Sequence, residues 1–401
     1  MAENKDKKVL NVPNIRFKEF EEEWEECRLG EIGKLYKGVG ISKDQLSDNG
    51  EPCILYGELY TKYKSEVINE VISKTNISDN KLVRSNANDV IIPCSGETAE
   101  DIATARCVLN DNVLLGGDLN IIRLHKDNGL FMSYQLNGKR KYDIARVSQG
   151  VSVVHLYGEH LKGIITYCPN LDEQNKIATF LSLLDERIAT QNKIIDKLES
   201  LIKGICNNYF LKLSHSQEMK SIRLGDILKE RNEYCCKDGT FVHGTLSKDG
   251  LFPKTERWNR DFLVKEENKK YKITHLDDIC YNPANLKFGV ICRNIYGDLI
   301  FSPIYVTFEV SKKVNIGFIE LYLTNRNFIE KIRKFEQGTV YERMSVSPED
   351  FLSYKIRIPS SSEQTFFYQK IQRLKNCSQN ELEHLNLYKK LRQYLLCQMF
   401  I

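Results

Sequence analysis

The stretch PNLDEQNKIATFLSLLDERIATQNKII, residues 169–195, has the form expected at the start of a long helix. Asn170 can accept a hydrogen bond from a free backbone N–H of the first turn, and Glu173, three residues later, can reach back to the backbone N–H of Asn170. The proline before Asn170 favours an extended approach to the helix. The sequence therefore predicts a helix with Asn170 as its N-cap and with Glu173 completing a capping box.

The same start recurs near the end of the chain. The stretch PSSSEQTFFYQKIQRL, residues 359–374, places Ser360 and Glu363 at the positions of Asn170 and Glu173, an offset of 190 residues. At the same offset apolar residues further along also coincide, namely Leu184 with Leu374, Leu201 with Leu391, and Phe210 with Phe400. These matches predict an internal duplication, in which one plan occurs twice.

Two upstream segments belong to the same plan. RLGEI (28–32) matches RLGDI (223–227), and Gln149–Gly150 matches Gln337–Gly338. The offset changes by a few residues between matches, which indicates loop insertions within a shared architecture. Short apolar or β-branched runs between turn residues predict strands in both halves: NDVIIPCS (88–95), NIIRLH (120–125), DDICYN (277–282) and PIYVTFEV (303–310).

Both predicted helices carry a heptad seam. The first seam steps alternately by four and three residues through Ile177, Leu181, Leu184, Ile188, Gln191, Ile195, Leu198, Ile202 and Ile205. The second keeps the register but is more polar, through Phe367, Ile371, Leu374, Ser378, Glu381, Leu385, Tyr388, Arg392 and Leu395. Such a spacing is typical of helices that pack against each other as a coiled coil. The alternative is that each helix packs only on its own domain.

Together these patterns predict an α+β protein with a pseudo-twofold internal repeat. Two mixed α/β domains alternate with two long helices that pair as an antiparallel coiled coil. The predicted boundaries are 1–168 for the first domain, 169–213 for the first helix, 214–358 for the second domain and 359–401 for the second helix. A continuous helix over residues 172–209 spans roughly 57 Å at 1.5 Å per residue, which suits a rigid spacer with one recognition domain at each end.

Composition narrows the class of protein. No apolar run approaches the length of about 18 residues that a membrane helix needs, and the N-terminal residues lack the apolar core of a secretory signal, so we expect a cytoplasmic protein. The twelve cysteines include no Cys-x-x-Cys pair and the seven histidines are scattered, so a zinc site is not expected. The formal net charge of +4 is mild, so any basic surface for nucleic acid must be local.

Several segments resemble the specificity subunit of type I restriction-modification enzymes. VPNIRFKEFEEEWEECRLGEI (12–32) resembles the opening of that family, and PNLDEQNKIATFLSLLDERIATQNKIIDKLESLIKGI (169–205) resembles its central helical region. YNPANLKFGVICRN…GDLIFSPIYVTF (281–308) resembles the core of a second target-recognition domain, and PSSSEQ…I (359–371) resembles the C-terminal helical region. The resemblance covers nearly the whole chain.

The resemblance implies a function for this arrangement. Each target-recognition domain would bind one half of a split DNA sequence, and the helices would set the spacing across a non-specific gap. The chain would also dock two methyltransferase subunits and, through them, restriction subunits. It would bind no cofactor itself, since the methyltransferase would use S-adenosylmethionine and the restriction subunit ATP and magnesium. Half-sites on one face of DNA lie about 34–36 Å apart per helical turn, a distance that helices of this length can bridge.

The sequence contains no recognisable catalytic motif. YNPAN (281–285) resembles the Asn-Pro-Pro-aromatic motif of amino-methyltransferases but has Ala284 in place of the second proline. KLYKGVG (34–40) lacks the glycine spacing and the Lys-Ser/Thr pair of a phosphate-binding loop. Acidic residues do not cluster in a strand context that suits a magnesium-dependent nuclease. We therefore expect a non-catalytic DNA-specificity subunit, and the alternative is a coiled-coil scaffold that binds only proteins.

Polar, cationic and aromatic side chains in the loops are the candidates for DNA contact, because lysine and arginine hold phosphates while arginine and glutamine suit bidentate contacts to bases. In the first domain the predicted DNA-binding residues are Lys62, Tyr63, Lys64, Thr98, Arg106, Arg146, Ser148 and Gln149. In the second domain they are Lys254, Arg257, Trp258, Arg260, Lys287, Arg293, Gln337, Thr339, Tyr341 and Arg343. The two Gln-Gly segments are favoured because they recur at the same place in both halves.

Overall fold

The structure is a computed structural model, and it describes residues 10–78, 81–150, 152–217, 219–236, 240–254, 270–337 and 344–401. The chain divides into two compact units. Met1–Lys193 with Leu382–Ile401 form the N-terminal unit, and Ile194–Glu381 form the C-terminal unit. Each unit contains one mixed α/β domain and a part of both long helices, so this division by contacts cuts across the helices, whereas the predicted boundaries follow the chain.

The N-terminal domain alternates short strands with short helices. Its elements are β1 (Glu25–Arg28), α1 (Leu29–Ile32), β2 (Gly33–Lys37), β3 (Leu46–Ser47), β4 (Glu51–Ile54), α2 (Glu58–Thr61), β5 (Val67–Ile68), β6 (Ser73–Thr75), β7 (Val83–Arg84), β8 (Asp89–Pro93), β9 (Ser95–Gly96), α3 (Ala99–Ile102), β10 (Arg106–Val108), β11 (Leu114–Leu115), β12 (Leu119–Leu124), α4 (Gly129–Asn137), α5 (Lys141–Val147), β13 (Val154–His155), α6 (Gly158–Lys162) and β14 (Ile165–Cys168). A 3-10 turn covers Lys43–Gln45. The first long helix, α7 (Leu171–His215), follows.

The C-terminal domain repeats this order in the residues that the structure describes. It contains β15 (Lys220–Arg223), β16 (Leu228–Glu230), β17 (Tyr234–Cys235), β18 (Val242–Ser247), β19 (Gly250–Pro253), β20 (Tyr271–Thr274), β21 (Ile279–Tyr281), β22 (Ile291–Arg293), β23 (Leu299–Phe301), β24 (Val306–Val310), α8 (Ile316–Leu323), α9 (Arg326–Ile332), α10 (Pro348–Ser353) and β25 (Lys355–Ile358). The 3-10 turns are Leu224–Asp226, Pro283–Phe288 and Arg333–Phe335. The second long helix is α11 (Ser361–Gln398).

The sheets follow a common plan in the two domains. The N-terminal domain has two five-stranded sheets, β2-β12-β8-β10-β5 and β3-β6-β4-β11-β7, and the C-terminal domain has β16-β24-β21-β22 and β17-β20-β23-β18-β19. In both, a strand before the long helix pairs antiparallel with the strand that opens the half, β1 with β14 and β15 with β25. The strands predicted at 88–95, 120–125, 277–282 and 303–310 are confirmed as β8, β12, β21 and β24.

The repeated Arg-Leu-Gly-acid motif has the same role in both halves. Leu29 and Leu224 are fully buried. Glu31 accepts a hydrogen bond from the backbone N–H of Arg28 at 2.8 Å, and Asp226 accepts the equivalent bond from Arg223 at 2.9 Å. The motif thus turns the chain sharply after the first strand while its leucine anchors the turn in the core.

The predicted helix starts are largely correct. Asn170 accepts a hydrogen bond from the backbone N–H of Glu173 at 2.9 Å, and Ser360 forms a complete capping box with Glu363. The capping box predicted for Glu173 is wrong in one respect, since its carboxylate accepts two 2.7 Å hydrogen bonds from the guanidinium of Arg16 instead. Charge-assisted bidentate pairing is stronger than a single bond to a backbone N–H, so Arg16 takes the carboxylate.

A buried glutamine fixes the first turn of each long helix to its domain. Gln174 donates to the carbonyl of Pro169 and accepts from the backbone N–H of Asn128, the N-cap of α4. Gln364 donates to the carbonyl of Pro359 and accepts from the backbone N–H of Asn315, the N-cap of α8. The four distances lie between 2.8 and 2.9 Å, and both glutamines are at most 2% exposed.

The two long helices pair antiparallel, as predicted. In the N-terminal unit the guanidinium of Arg187 lies over the ring of Tyr388, and Asp185 accepts a hydrogen bond from Arg392. In the C-terminal unit Tyr209 stacks on Phe367 with ring centroids 3.8 Å apart. Later residues of α7 therefore meet earlier residues of α11.

The helices also pack on their own domains, in addition to packing on each other, so the alternative of packing only on the domain is wrong. Ile177 and Leu181 share an N-terminal cluster with Trp24 and Phe131, and Phe210 joins Phe318 in the C-terminal core. The predicted seam is wrong at Ile205, which is 36% exposed, because the buried face passes through the adjacent Cys206. The buried face moves by one residue because the apolar face of α7 here points toward its domain and away from its partner helix.

Arg392, a polar position in the second seam, has a structural partner network. Its guanidinium donates to Glu66, which follows α2 in the domain, and to Asp185 on α7. Asp185 also accepts a 2.7 Å hydrogen bond from the hydroxyl of Tyr134. Burial alone disfavours the charge of Arg392, but the two carboxylates outweigh burial and raise the pKa of its guanidinium.

The Gln364→Met substitution is expected to lower the free energy of unfolding by about 2–3 kcal/mol, because it leaves a buried carbonyl and a buried N–H without partners. The control is Gln372→Met on the same helix, whose side chain donates to Asn376 at the surface. Urea unfolding of the full chain measures both. Equal midpoints for the two variants would contradict a structural role for Gln364.

The Arg392→Met substitution is expected to cost about 3–5 kcal/mol at neutral pH, because Glu66 and Asp185 stay buried without their cation. Burial already raises the pKa of Asp185, and loss of the cation favours its protonated form further, so the cost should shrink as the pH falls toward about 4, where carboxylates protonate. Urea unfolding across this pH range tests the network. A cost no larger than that of Lys389→Met, at an exposed position of the same helix, would rule the network out.

Candidate nucleic-acid interface

The predicted residues Lys62, Tyr63 and Lys64 lie at the end of α2 and have partners within the domain. The ammonium of Lys62 bonds Glu58 and Ser73 at 2.6 and 2.7 Å, and that of Lys64 bonds the carbonyl of Tyr60 at 2.6 Å. Tyr63 is 6% exposed and accepts a hydrogen bond from Ile72. Tyr63 therefore lies in the core of the domain, and Lys62 and Lys64 lie at the surface of the domain.

An open cleft of about 740 Å³ lies beside these residues in the N-terminal unit. Its lining brings together Tyr56, Tyr60, Lys64, Ser95, Gly96, Glu97, Asp101, Arg106, Ser152 and Val153, among others. Tyr60 donates a 2.9 Å hydrogen bond to the carbonyl of Ser95, which joins α2 to β9. Aromatic rings, acids, hydroxyls and cationic side chains around an open cleft can contact base edges and the sugar-phosphate backbone.

Arg106 and Thr98, both predicted as DNA contacts, have structural partners near this cleft. Arg106 is 9% exposed and donates to the carbonyls of Tyr63 and Ala105, and burial lowers the pKa of its guanidinium. Thr98 is the N-cap of α3, where its hydroxyl accepts from the backbone N–H of Asp101 at 3.0 Å. Thr98 is exposed, whereas only a small part of Arg106 faces the cleft.

The two Gln-Gly segments form equivalent loop bases. Gln149 pairs through its backbone with His155, at 2.7 and 2.9 Å, and Gln337 pairs in the same way with Ser345, at 2.9 Å for both bonds. Gly150 has a φ of +121°, and a Cβ there would lie 2.1 Å from the carbonyl oxygen of Val153. Glycine is therefore required at position 150, where the loop after Gln149 begins.

The other residues predicted in these segments differ in their positions and hydrogen-bond partners. Arg146 lies in the last turn of α5, and Ser148 donates to the carbonyl of Ala145 at 2.6 Å. The side chain of Gln337 donates to Asp350 at 3.0 Å. Thr339, Tyr341 and Arg343 lie outside the described residues, so their DNA contacts stay predictions.

In the C-terminal domain the structure describes three of the other predicted residues. Lys254 follows β19, with its backbone N–H bonded to the carbonyl of His243 at 2.7 Å. Lys287 lies on the 3-10 turn with its ammonium 5.2 Å from the ring centroid of Phe288. Arg293 on β22 donates to Asp277 at 2.8 Å. Arg257, Trp258 and Arg260 lie outside the described residues.

A second cleft of about 740 Å³ lies in the C-terminal unit and was not foreseen from the sequence. It is lined by Lys203 and Cys206 of α7, Lys375 of α11, Lys287, Phe288 and Gly289 of the turn before β22, and residues of α8 and α9 that include Arg326, Glu330 and Arg333. From the sequence, Lys203 and Lys375 are predicted only as parts of the long helices. Their positions outside the heptad seam are the sequence feature that could have indicated a different contact for them.

Neither a metal centre nor a membrane span is found in the part of the chain that the structure describes. Within those residues no three His, Cys, Asp or Glu side chains are grouped to hold a metal ion. No helix there is long and apolar enough to cross a membrane. The described cysteines are all free thiols.

The chain is similar to known proteins of one kind. A family model described as the type I restriction modification DNA specificity domain matches residues 21–200. The MjaVIII specificity subunit of a type I restriction enzyme from Methanocaldococcus jannaschii is 23% identical over 384 residues, covering 88% of this chain and 87% of the relative.

Solved structures share the fold. A type I restriction-modification S subunit from M. genitalium superimposes with a TM-score of 0.58 at 16% identity, covering 97% of this chain and 99% of the other. The HsdS subunit from Thermoanaerobacter tengcongensis gives a TM-score of 0.50 at 12% identity, over 94% and 96% of the two chains. With its two α/β domains and paired long helices, the chain is similar to type I restriction-modification specificity subunits in sequence and shares the fold of their solved structures.

Proposed function

We propose that this chain is the DNA sequence-specificity subunit of a type I restriction-modification complex. In this proposal each α/β domain recognises one half of a bipartite DNA target. The observation that carries it is the duplication of a complete plan, from the Arg-Leu-Gly-acid turn to the glutamine-anchored helix, in a chain whose residues 21–200 match a DNA specificity domain. Two copies of one recognition unit suit a target with two halves.

The backbone-bridged bases of two loops support the proposal that these loops face the DNA. The Gln-Gly segments are held by a backbone bridge in both domains, Gln149 with His155 and Gln337 with Ser345. A loop with a rigid base can present side chains to base edges in the major groove. Residues of these loops and of the N-terminal cleft are therefore the ones we assign to sequence recognition.

The long helices would serve as a spacer and as a docking surface. A helix of 45 residues has a length of roughly 67 Å at 1.5 Å per residue. Exposed apolar side chains remain on the helices, among them Phe180, Leu183, Leu387 and Leu391. Such side chains suit the docking of two methyltransferase subunits, which in turn would recruit restriction subunits.

Chemistry would reside in the partners. S-adenosylmethionine would be bound by the methyltransferase subunits, and ATP and magnesium by the restriction subunits, while this chain contributes no catalytic group. The complex would act in the cytoplasm, where chromosomal and incoming DNA are both reached. A coiled-coil scaffold that binds only proteins is not favoured, because it would not require a specificity domain.

Methylation mapping across the genome of cells that express the complete system should detect methyladenine at one split motif with a fixed gap. The matched control is the same strain with this gene deleted and then restored on a plasmid. We expect the methylated motif to vanish on deletion and return on complementation, because no other subunit would supply sequence specificity. Methylation that is unchanged by the deletion would contradict the proposed function.

A further inference from the structure

The cleft of the C-terminal unit has a strongly cationic lining. Five of its side chains carry positive charge, Lys203, Lys287, Arg326, Arg333 and Lys375, against the single carboxylate of Glu330. The cations come from α7, α11, α9, the segment that follows α9, and the turn before β22. Convergence of like charges from separate elements raises the local electrostatic potential and requires an anionic ligand or solvent to balance it.

The two arginines are already neutralised within the protein. Glu330 accepts from Arg326 at 3.4 Å and from Arg333 at 3.2 Å, and Glu336 lies 3.6 Å from Arg333. For the three lysines no salt bridge is found to any carboxylate in the described ranges. Burial raises the pKa of Glu320 while nearby Lys375 and Arg293 lower it, so this acid responds to Lys375 without pairing with it. The charges of the three lysines thus stay available.

The type of cation indicates the type of anion. Lysine is a compact charge that contacts phosphate without a fixed geometry, whereas recognition of bases favours the planar guanidinium. Phe288, which is 66% exposed, stands at the same turn as Lys287. A positively charged groove suits the closely spaced phosphates of a nucleic-acid backbone, which carry one negative charge per about 1.7 Å of duplex.

The N-terminal half does not carry the same charges. The offset of 190 residues places Gln393 at the position of Lys203 and Asp185 at that of Lys375. Asp185 is paired with Arg392. The cationic cleft thus belongs to one half of the duplicated plan, although its fold is common to both.

We infer that this cleft binds backbone phosphates of duplex DNA through Lys203, Lys287 and Lys375, next to the half-site that the C-terminal domain recognises. It adds affinity that does not depend on sequence, and it does so on one side of the target only. This inference rests on the proposed function, because the cleft would contact the same DNA target outside the recognition loops.

The test uses the full chain purified together with its methyltransferase subunits and a fluorescent duplex of random sequence. The double variant Lys203→Ala/Lys375→Ala should bind this duplex more weakly. Each lost phosphate contact should reduce the magnitude of the slope of log K against log salt by about 0.9, so the double variant should lose about 1.8. The half-sites methylated in cells should stay the same.

The matched control is Lys197→Ala/Lys370→Ala, which removes the same charge from the same two helices outside the cleft. Its salt slope should equal that of the unsubstituted complex. If the cleft variant keeps the slope of the control while duplex binding persists, the inference is overturned and the proposed function stands. Loss of methyltransferase subunits from the cleft variant, with an unchanged slope, would instead make the cleft a protein-docking site. An unsubstituted complex that binds no duplex would overturn the proposed function.

Discussion

The side chain of one buried glutamine in each half holds the first turn of a long helix to the domain before it. Gln174 and Gln364 each join the carbonyl of the proline after a strand to the N-cap of a domain helix, α4 in the first half and α8 in the second. Both glutamines and both prolines are buried and the two N-cap asparagines are partly buried, so loss of these hydrogen bonds would leave polar atoms unpaired away from water. The direction in which each helix leaves its domain is therefore fixed by a polar interaction, and apolar packing along the seam then follows that direction.

The two halves share this junction but differ in what surrounds it. In the N-terminal unit Arg392, Glu66 and Asp185 form an ion-pair network that ties both helices to the domain. At the corresponding positions of the C-terminal unit stand Ile202 and Lys375, and the lysine faces an open cleft. The two halves share one architecture because the plan is duplicated. Their surfaces differ because a few charged residues differ between them. Under the proposed function, two unlike half-sites would require such divergence.

Local patterns in the sequence predict a large part of this fold. The N-caps Asn170 and Ser360, the strands β8, β12, β21 and β24, and the antiparallel helix pair all follow from spacing and residue type. What fails depends on distant partners. Glu173 leaves its capping box because Arg16, 157 residues away, offers a bidentate contact.

The candidate site is less accessible to sequence reasoning for the same reason. Tyr63 and Arg106 look like loop residues in sequence but are buried by the two-sheet domain. Lys203 and Lys375 are separated by 172 residues and meet only because α7 and α11 pair. Periodicity locates the seam of a helix, but it does not indicate which of its other faces a domain will turn into a cleft.

The central claim is that helices anchored at both glutamines set the distance between two independent recognition domains. It is tested most directly by inserting one heptad into each helix, after Lys193 in α7 and after Glu381 in α11, and mapping methylation in cells. Seven residues lengthen a helix by about 10 Å, which corresponds to at most about three base pairs at 3.4 Å each. The account predicts the same two half-sites separated by a longer gap. Altered half-site bases, or an unchanged gap with full methylation, would contradict it.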